Sequence, residues 1–559
     1  MQTEKKEKWI RLQVGAIPLV HHIITRLNLR NIFLNQLPVH ANSLIPAVDC
    51  LILLVCNIVI GKMPLYKLSK WVESLDLRAL GYQNSNSIAP NDDQFGRVLD
   101  KLYAIDRASL MTEIVVSAVK NFHIDLDRIH NDSTSVMAYG DIPGETRTEV
   151  ALKRGHSKER RPDLKQIIFN LSISSDGGVP VHHKTYAGNR TDDTIHIETW
   201  TTLLAICRRP DFIYVADSKL CTDKQLNYIT SHGGRAITIL PNTWGETEKF
   251  KQKLKKTRIS KTEIWRRIRP GTLDELEYFY AYKGEYFTEI RGYRIHWIHS
   301  SAKKKRDRDN RTNRLQKAEK KLAELVGDLN TKSYKTKSAV LDKANKILKD
   351  YNVEDFITIN MGTTKTSEMK QIGSGRPSAK TKYKEVIMEL LTLYWMRNTA
   401  AIQEEMQLDG LFPLLSTDVS ITSESAIKNY KYQPKIEKRF SQFKSIHNAA
   451  PLLFKKIERV EANMFVFFVA MMVQALIERE IQQAMKKRNI LSIDVYPEQR
   501  CSEKPTTNSI SQLFEPVSTY QIIAGEKLIK ANRDELDETQ KLVINLLGLS
   551  EKNYWGKVA

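Results

Sequence analysis

The sequence has few cysteines and no apolar run as long as a membrane span. The two most hydrophobic stretches, residues 47–61 and 464–477, fall short of the roughly 20 residues that cross a bilayer, so both are predicted to be buried helices. No signal peptide or lipidation motif is present, which favours a cytoplasmic protein without a membrane partner. Five scattered cysteines lack the paired spacing of a zinc site or a disulfide framework: Cys50, Cys56, Cys207, Cys221 and Cys501.

Acidic residues are also in the minority. The chain has 86 lysines and arginines against 65 aspartates and glutamates, a net charge of +21 over 559 residues. A polyanion is the natural partner, because each phosphate that a cationic side chain neutralises releases condensed counterions. DNA fits this excess better than an anionic membrane surface, and an ordinary basic soluble protein is the alternative.

Residues 127–138, DRIHNDSTSVMA, are predicted to form a strand with Asp132 in its interior. Apolar and polar residues alternate along the segment, and turn-rich sequence bounds it. Aspartate is depleted in strands, and a half-buried carboxylate is costly without a cation beside it. Asp132 is therefore a candidate metal ligand, although a single strand aspartate is more often a turn or edge residue.

Residues 212–217, FIYVAD, predict a second strand that ends on Asp217. The run is almost wholly apolar, as in a central strand covered on both faces. A loop and a helix closed by glycine are expected to follow. Asp217 would then lie at the carboxyl end of a strand, the edge where open α/β sheets usually place their sites.

Residues 430–444, YKYQPKIEKRFSQFK, have helical spacing. In a helix, Glu437 and Lys444 would lie two turns apart on one face and point towards a site. An adjoining apolar stripe would dock on the core: Ile436, Phe440 and Phe443.

Pro434 limits this helix, because proline cannot continue a helix from Tyr430 without a kink. The helix that carries Glu437 begins near Pro434 in the alternative interpretation. That alternative leaves the positions of Tyr430 and Gln433 less defined than those of Glu437 and Lys444.

Together these segments resemble the DDE transposases of bacterial insertion sequences, the group whose third acidic residue lies in a Tyr, Arg, Glu, Lys signature. The signature leaves two, three and six residues between its members, and this chain reproduces that spacing with Tyr430, Gln433, Glu437 and Lys444. Gln433 replaces the arginine, so the phosphate contact expected there is in doubt. The resemblance spans roughly residues 127–475, and further likeness occurs in order at 155–167, 187–193 and 409–418.

The resemblance implies an RNase H-like core in which Asp132, Asp217 and Glu437 are catalytic and hold two Mg²⁺ or Mn²⁺ ions. In that scheme Asp132 bridges both ions, Asp217 binds one and Glu437 binds the other. Carboxylates suit such hard cations, and an ion pair of this kind activates the attacking oxygen and stabilises the leaving one. The resemblance also implies DNA-contacting side chains around the site: Tyr430, Gln433, Lys438, Arg439 and Lys444.

The expected fold class is α/β. An RNase H-like core, a mixed sheet flanked by helices, is interrupted by an insertion of β-strands and a helical hairpin and is preceded by a mainly helical domain. The interval between Asp217 and Glu437 requires the insertion, because a simple crossover needs far fewer residues. The predicted boundaries are 1–120 for the N-terminal domain, 121–241 and 409–488 for the two parts of the core, 242–408 for the insertion and 489–559 for a C-terminal tail.

Three regions have two interpretations each. The N-terminal domain either recognises DNA ends and contacts a second subunit, or is a helical support. In the insertion, strands are predicted at 260–300 and a helical hairpin at 302–351. The basic stretch 373–384, GSGRPSAKTKYK, is a linker or a site for phosphate contacts. Three tryptophans are candidates for stacking on an unpaired base or for ordinary packing: Trp244, Trp265 and Trp297.

The function implied is that of a cytoplasmic bacterial transposase, located at the nucleoid when bound to DNA. It would bind the inverted-repeat ends of its own mobile element, cleave the DNA by metal-activated water and join the freed 3′ hydroxyl to target DNA. A homodimer on DNA is expected, because two ends must be processed together. The alternatives are an RNase H-like DNA nuclease without strand transfer and an inactive DNA-binding descendant.

Overall fold

The computed structural model divides the chain into two compact units. The first unit is Met1–Thr238 with Ile427–Ala559, and the second is Ile239–Ala426. The structure describes all residues except 1–6, 40–44, 83–88, 139–149, 156–160, 162, 192–194, 273, 448, 450–453, 455, 497, 499, 525–526 and 557–559.

The N-terminal part of the first unit is mainly helical, as expected, but it opens with a strand that the sequence analysis missed. This strand, β1 (Glu7–Gln13), pairs antiparallel with Ser518–Ala524 near the other end of the chain. The helices that follow are α1 (Ile17–Arg26), α2 (Leu29–Gln36), α3 (Ala47–Cys56) with a π-helical turn (Asn57–Gly61), α4 (Leu65–Glu73), a 3₁₀ turn (Leu77–Leu80), α5 (Asp92–Ala104) and α6 (Arg107–Phe122).

Five strands of a mixed sheet form the centre of the first unit. Their order is β4-β3-β2-β5-β6, with β2, β3 and β4 antiparallel and β5 and β6 added in parallel. This order, together with the flanking helices, confirms the expected α/β class, a mixed sheet flanked by helices. The elements are β2 (Arg128–Ala138), β3 (Lys165–Ser174), β4 (Pro180–Ala187), α7 (His196–Cys207), β5 (Ile213–Val215), a 3₁₀ turn (Ser218–Leu220), α8 (Asp223–Ser231) and β6 (Arg235–Ile239).

The second unit contains an antiparallel sheet of order β12-β9-β8-β7, a helical hairpin and a long β-hairpin. The helical hairpin was expected, whereas the basic stretch 373–384 forms the tip of the β-hairpin instead of a linker between domains. Trp297 is buried and stacks on Phe250, with 4.0 Å between ring centroids, so it is a packing residue. The elements are α9 (Gly245–Lys256), β7 (Lys261–Ile268), β8 (Leu276–Tyr282), β9 (Arg294–Ser300), α10 (Ser301–Gly327), α11 (Lys337–Asp350), β10 (Ile357–Gln371), β11 (Tyr383–Arg397), α12 (Thr399–Met406) and β12 (Leu411–Ser416).

The last part of the chain, which includes the predicted C-terminal tail 489–559, contains both helices and strands. Two of its strands complete a three-stranded sheet with β1. The elements are α13 (Ser423–Tyr430), α14 (Pro434–Ser441), a π-helical turn (Gln442–Ile446), α15 (Ile457–Lys487), β13 (Ile493–Asp494), β14 (Cys501–Ser502), α16 (Thr507–Phe514), β15 (Ser518–Ala524), β16 (Lys527–Arg533), α17 (Glu538–Leu546) and α18 (Glu551–Trp555).

Helix α15 is the central core helix of the first unit and packs against α1, α3, α5 and β4. The buried helix predicted at 464–477 is confirmed, but it is part of a longer helix of 31 residues whose apolar window is long enough to cross a membrane. That window is 89% buried inside the protein, and the burial includes the whole run from Met464 to Ile477. The helix therefore supplies the apolar face on which the sheet packs.

Candidate active site

Asp132 lies in the central strand of the five-stranded sheet. β2 pairs antiparallel with β3 on one side and parallel with β5 on the other, so its backbone is held on both edges. The Asp132 side chain is half-buried, and its Oδ1 accepts a hydrogen bond from the Ser133 backbone N–H at 2.7 Å. Side chains alternate between the faces of a strand, so Asp132 shares a face with His130 and Thr134.

Asp217 lies two residues beyond β5, beside Asp132. The register pairs His130 with Val215, and two further residues along each parallel strand lead to Asp132 and Asp217. Adjacent strands are about 4.8 Å apart, so the two carboxylates project from neighbouring positions on one face. Two hydrogen bonds fix the Asp217 backbone and side chain: Lys219 N–H donates to its carboxylate at 2.9 Å, and the Thr238 hydroxyl donates to its carbonyl at 2.6 Å.

Glu437 is brought to the same face by α14. This helix begins at Pro434, which confirms the alternative start and corrects the single helix over 430–444. Ile436 and Phe440 are buried where α14 packs on β2 and β3, while Glu437 is exposed in the first turn. Proline suits the first helical position, and a carboxylate near a helix N-terminus is favoured by the helix dipole.

The Tyr430 hydroxyl responds electrostatically to all three carboxylates. Its pKa is raised far above the ordinary value, first by burial and then by the negative charges of Asp217, Asp132 and Glu437, in that order. The register of β2 and β5 and the packing of α14 on β2 bring these three acidic residues, which lie far apart in the sequence, onto neighbouring elements of the fold.

Gln433 occupies the signature position where the resembling family has arginine, and the structure does not place it towards DNA. It is buried, donates to the Asn131 carbonyl at 2.9 Å, and its Oε1 lies 3.2 Å from His130 Nδ1. Burial lowers the His130 pKa to about 4, so the neutral ring donates from Nδ1. The DNA contact predicted for Gln433 is corrected: its amide joins the start of α14 to β2, next to Asp132.

Arg439 is also misassigned as a DNA contact. Its side chain is 1% exposed and forms a buried ion pair with Glu478 at 2.8 Å. It also donates to the carbonyls of Gly177 and Gly178, both at 3.2 Å, in the β3–β4 turn. Arg439 lies three residues after Ile436, so the helical period already placed it on the buried face.

The β3–β4 turn is a clamp that holds α14. Gly177 and Gly178 have φ of 80° and 66°, which favours glycine at both positions. A Cβ on Gly178 would lie 2.9 Å from the stem of Lys435. Lys435 is therefore packed against the turn, and burial, followed by the charge of Arg439, lowers its pKa to about 8. Nothing in the sequence predicted that Lys435 packs against this turn, apart from its position one residue before Ile436.

The remaining predicted cations differ in exposure. Lys438 is exposed beside Glu437, and Lys444 is half-buried in the π-helical turn that continues α14. This turn corrects the expectation that Glu437 and Lys444 lie on one uninterrupted α-helical face, because a π turn contains more residues than an α turn. Phe443 anchors the turn by stacking on Phe169 of β3, with 4.7 Å between centroids.

The donor set suits a hard divalent cation, but the described residues contain no ready-made three-ligand centre. Within the part of the chain that the structure describes, no three aspartate, glutamate, histidine or cysteine side chains are grouped to hold a metal ion. This arrangement is compatible with two ions that each use two of the carboxylates. Mg²⁺ is commonly bound by one or two carboxylates together with water and substrate phosphates.

Comparisons with known proteins add limited information. The family model described as a domain of unknown function, DUF4277, matches residues 11–116. No curated protein sequence matches the chain. A cryo-EM structure of a piggyBac transposase synaptic complex with hairpin DNA is similar to this chain at a TM-score of 0.36 and 9% identity, over 89% of this chain and 79% of that one. Evidence on function therefore comes from the residues of the site.

Two motifs that contribute to the family resemblance are only partly visible. Residues 156–160 and 162 of the 155–167 motif, and residues 192–193 at the end of the 187–193 motif, lie outside the described residues.

Proposed function

We propose that this chain is a DDE-type transposase of an insertion sequence, which cleaves DNA phosphodiester bonds and joins the freed 3′ hydroxyl to target DNA. The observation that carries the proposal is the adjacency of Asp132 and Asp217 at the parallel strands β2 and β5, with the helix α14, which carries Glu437, packed on β2. Carboxylates on neighbouring elements repel one another, and cation binding offsets that repulsion.

In the proposed site, Asp132 and Asp217 would hold one ion and Asp132 and Glu437 the other. Bound Mg²⁺ or Mn²⁺ activates the attacking oxygen and stabilises the leaving oxygen of an in-line displacement. The same site serves hydrolysis and strand joining, because both are attacks of an oxygen on a phosphodiester. Tyr430 keeps its proton at neutral pH, since its pKa is raised, and its hydroxyl is then a donor beside the carboxylates.

Cations next to the carboxylates are proposed to bind the DNA backbone. Lys438 is exposed beside Glu437, and Lys444 is half-buried farther along the same segment. Lysine acts on phosphate as a point charge. The net charge of +21 supports DNA as the partner, and a homodimer that holds two element ends follows from the paired reaction.

The test is cleavage and strand transfer on a duplex that carries the inverted repeat flanking the coding region, with and without Mg²⁺. The native chain is compared with Asp132→Asn, Asp217→Asn and Glu437→Gln, which keep side-chain size and remove charge. We expect joined products from the native chain and at least a hundredfold loss in each variant, about 2.7 kcal/mol of transition-state stabilisation.

Glu535→Gln is the matched control, because Glu535 is an exposed carboxylate of the same unit that lies outside β2, β5 and α14 and does not contribute to the raised pKa of Tyr430. It should retain native activity. Cleavage without joining would replace the proposal with an RNase H-like nuclease. DNA binding without cleavage in any cation would leave only the inactive descendant, and full activity in one carboxylate variant would remove that residue from the site.

A further inference from the structure

The second unit contains a two-stranded β-ribbon that extends well past its own packing. β10 and β11 pair in continuous antiparallel register from Ile357 with Arg397 to Gln371 with Tyr383. Fifteen residues per strand correspond to roughly 50 Å of ribbon. A ribbon of this length needs more support than its own hydrogen bonds, since an isolated hairpin is marginally stable in water.

The helical hairpin α10–α11 supports only the base of the ribbon. In the described residues, the apolar cluster on these helices includes ribbon residues only as far as Met361 and Leu391. The Asn330 side chain donates to the Leu391 carbonyl at 3.1 Å and accepts from the Leu391 N–H at 2.8 Å. At the base, Arg397 forms a two-point ion pair with Glu319 at 2.7 Å.

Beyond this anchor lies the distal ribbon, defined as residues 364–390. It projects roughly 25 Å from its last anchored pair. Its large apolar side chains are exposed on the strands and at the turn, with Ile387 67%, Met369 61% and Ile372 55% exposed. A two-stranded element with uncovered apolar side chains is suited to becoming ordered against a partner.

The charge of the distal ribbon indicates which partner. Its acidic residues lie on the strands. There Glu389 Oε1 lies 3.8 Å from Lys365 Nζ, and Glu368 Oε2 lies 3.8 Å from Lys370 Nζ. The tip, residues 370–384, has five basic residues and no acidic residue. Among the described ion pairs, none involves the four outermost cations: Arg376, Lys380, Lys382 and Lys384.

We propose that the distal ribbon is a DNA-binding arm whose tip cations contact backbone phosphates while the strands lie in a groove. A two-stranded β-ribbon fits the major groove of B-DNA, and such ribbons are an established way for proteins to enter it. Exposed Met369, Ile372 and Ile387 then meet base edges and sugars instead of water. The arm rests on the proposed function only for DNA as the partner; it requires no carboxylate of the first unit.

The experiment measures equilibrium binding of the full chain to a mixed-sequence duplex, in EDTA, over a range of salt concentrations. The tip variant carries Arg376→Ala, Lys380→Ala, Lys382→Ala and Lys384→Ala. Each phosphate contact contributes about 0.9 to the slope of log affinity against log salt. We expect the slope to fall by about 2 to 3.6 and the affinity at moderate salt to fall at least about tenfold.

The matched control removes the same charge from exposed lysines on α11 of the same unit: Lys337→Ala, Lys343→Ala, Lys346→Ala and Lys349→Ala. Its salt slope should fall by less than about one contact. A second variant shortens the ribbon by joining Thr364 to Leu390 through Asn-Gly, a sequence suited to a two-residue hairpin turn. That variant keeps the anchored base and should bind like the tip variant.

The outcomes separate this inference from the proposed function. Ribbon-dependent binding without cleavage would support the arm and contradict the transposase. Cleavage by the native chain with equal salt slopes in the tip and control variants would overturn the arm. The competing role is an arm between two copies of the chain, and sedimentation of the shortened chain tests it. A change from dimer to monomer with unchanged DNA affinity would establish that role and overturn DNA binding by the ribbon.

Discussion

At the scale of single residues, Tyr430 is the side chain whose pKa responds to all three carboxylates. Burial and then the negative charges of Asp217, Asp132 and Glu437 raise the pKa of its hydroxyl. A phenol that stays protonated beside carboxylates is a hydrogen-bond donor at every working pH. It therefore lowers the cost of holding negative charges together before a cation arrives.

Tyr430→Phe should reduce cleavage without unfolding the chain. The substitution keeps the ring and removes the hydroxyl from the neighbourhood of the three negative charges, and we expect a loss of roughly tenfold, about 1.4 kcal/mol of transition-state stabilisation. The measurement is the cleavage rate as a function of Mg²⁺ concentration, in which more Mg²⁺ should be needed for half-maximal rate. Tyr432→Phe is the control, because the Tyr432 ring packs on His130 with 4.9 Å between centroids. Equal rates for the native chain and Tyr430→Phe would remove the hydroxyl from the site.

Arg439 illustrates the opposite case at this scale. This cation, two residues after Glu437 in the sequence, forms a buried ion pair with Glu478 and donates to the carbonyls of Gly177 and Gly178. Loss of one partner of such a pair typically costs about 3–5 kcal/mol, because the other charge stays buried. Arg439 thus stabilises the position of α14, which leaves the exposed Lys438 as the proposed DNA contact on this helix.

At the scale of elements, α14 is the piece that must be placed correctly for the site to form. It is attached at three points: Gln433 to β2, Arg439 to the β3–β4 turn, and Phe443 to β3. All three attachments lie on the packed side of α14, and Glu437 is exposed. Docking of this short helix against the sheet therefore determines where the third carboxylate lies.

Gln433→Leu should show whether Gln433 positions α14 or contacts DNA. The change leaves the Asn131 carbonyl and His130 Nδ1 without this partner, and we expect a loss of about 1–3 kcal/mol in stability. Cleavage should fall because Glu437 shifts, whereas DNA affinity and its salt slope should stay native. Lys438→Ala should do the reverse, with weaker DNA binding and native thermal stability. A reduced salt slope in Gln433→Leu would restore the DNA contact that its burial argues against.

The sequence predicted the strands β2 and β5 because their patterns are local. The alternation along β2 and the apolar run of β5 each depend on residues adjacent in the chain. β1 and the pair β15–β16 were missed, since their pairing joins the two ends of the chain. The β-ribbon was missed because its glycines and lysines also suit a linker.

At the scale of the whole molecule, buried histidines make the first unit sensitive to acid. Burial lowers the pKa of His130, His182 and His447 to about 4 in each case, from an ordinary 6.5. Between these values the unfolded chain binds protons that the folded chain excludes. The stability contribution is therefore complete above pH 6.5 and is lost as the pH falls towards 4.

The free energy of unfolding should therefore fall between pH 6.5 and 4, by up to about 1.4 kcal/mol per pH unit for each of these histidines. Urea denaturation at several pH values in this window measures the slope. His182→Leu should reduce the slope by about one proton, whereas His232→Gln should not, since His232 is exposed. A slope independent of His182 would mean that acid acts through other groups.

The sequence by itself determined the strand that contains Asp132, the strand that precedes Asp217 and the cationic excess that favours DNA, and it offered the start of α14 at Pro434 as one of two interpretations. These features follow from local periodicity, turn chemistry and composition. Only the tertiary structure decided that Gln433 and Arg439 are buried and that the stretch 373–384 is the tip of a ribbon. The reason is physical: burial and pairing depend on which distant segments occupy the space around a residue, and that information is not contained in any single stretch of sequence.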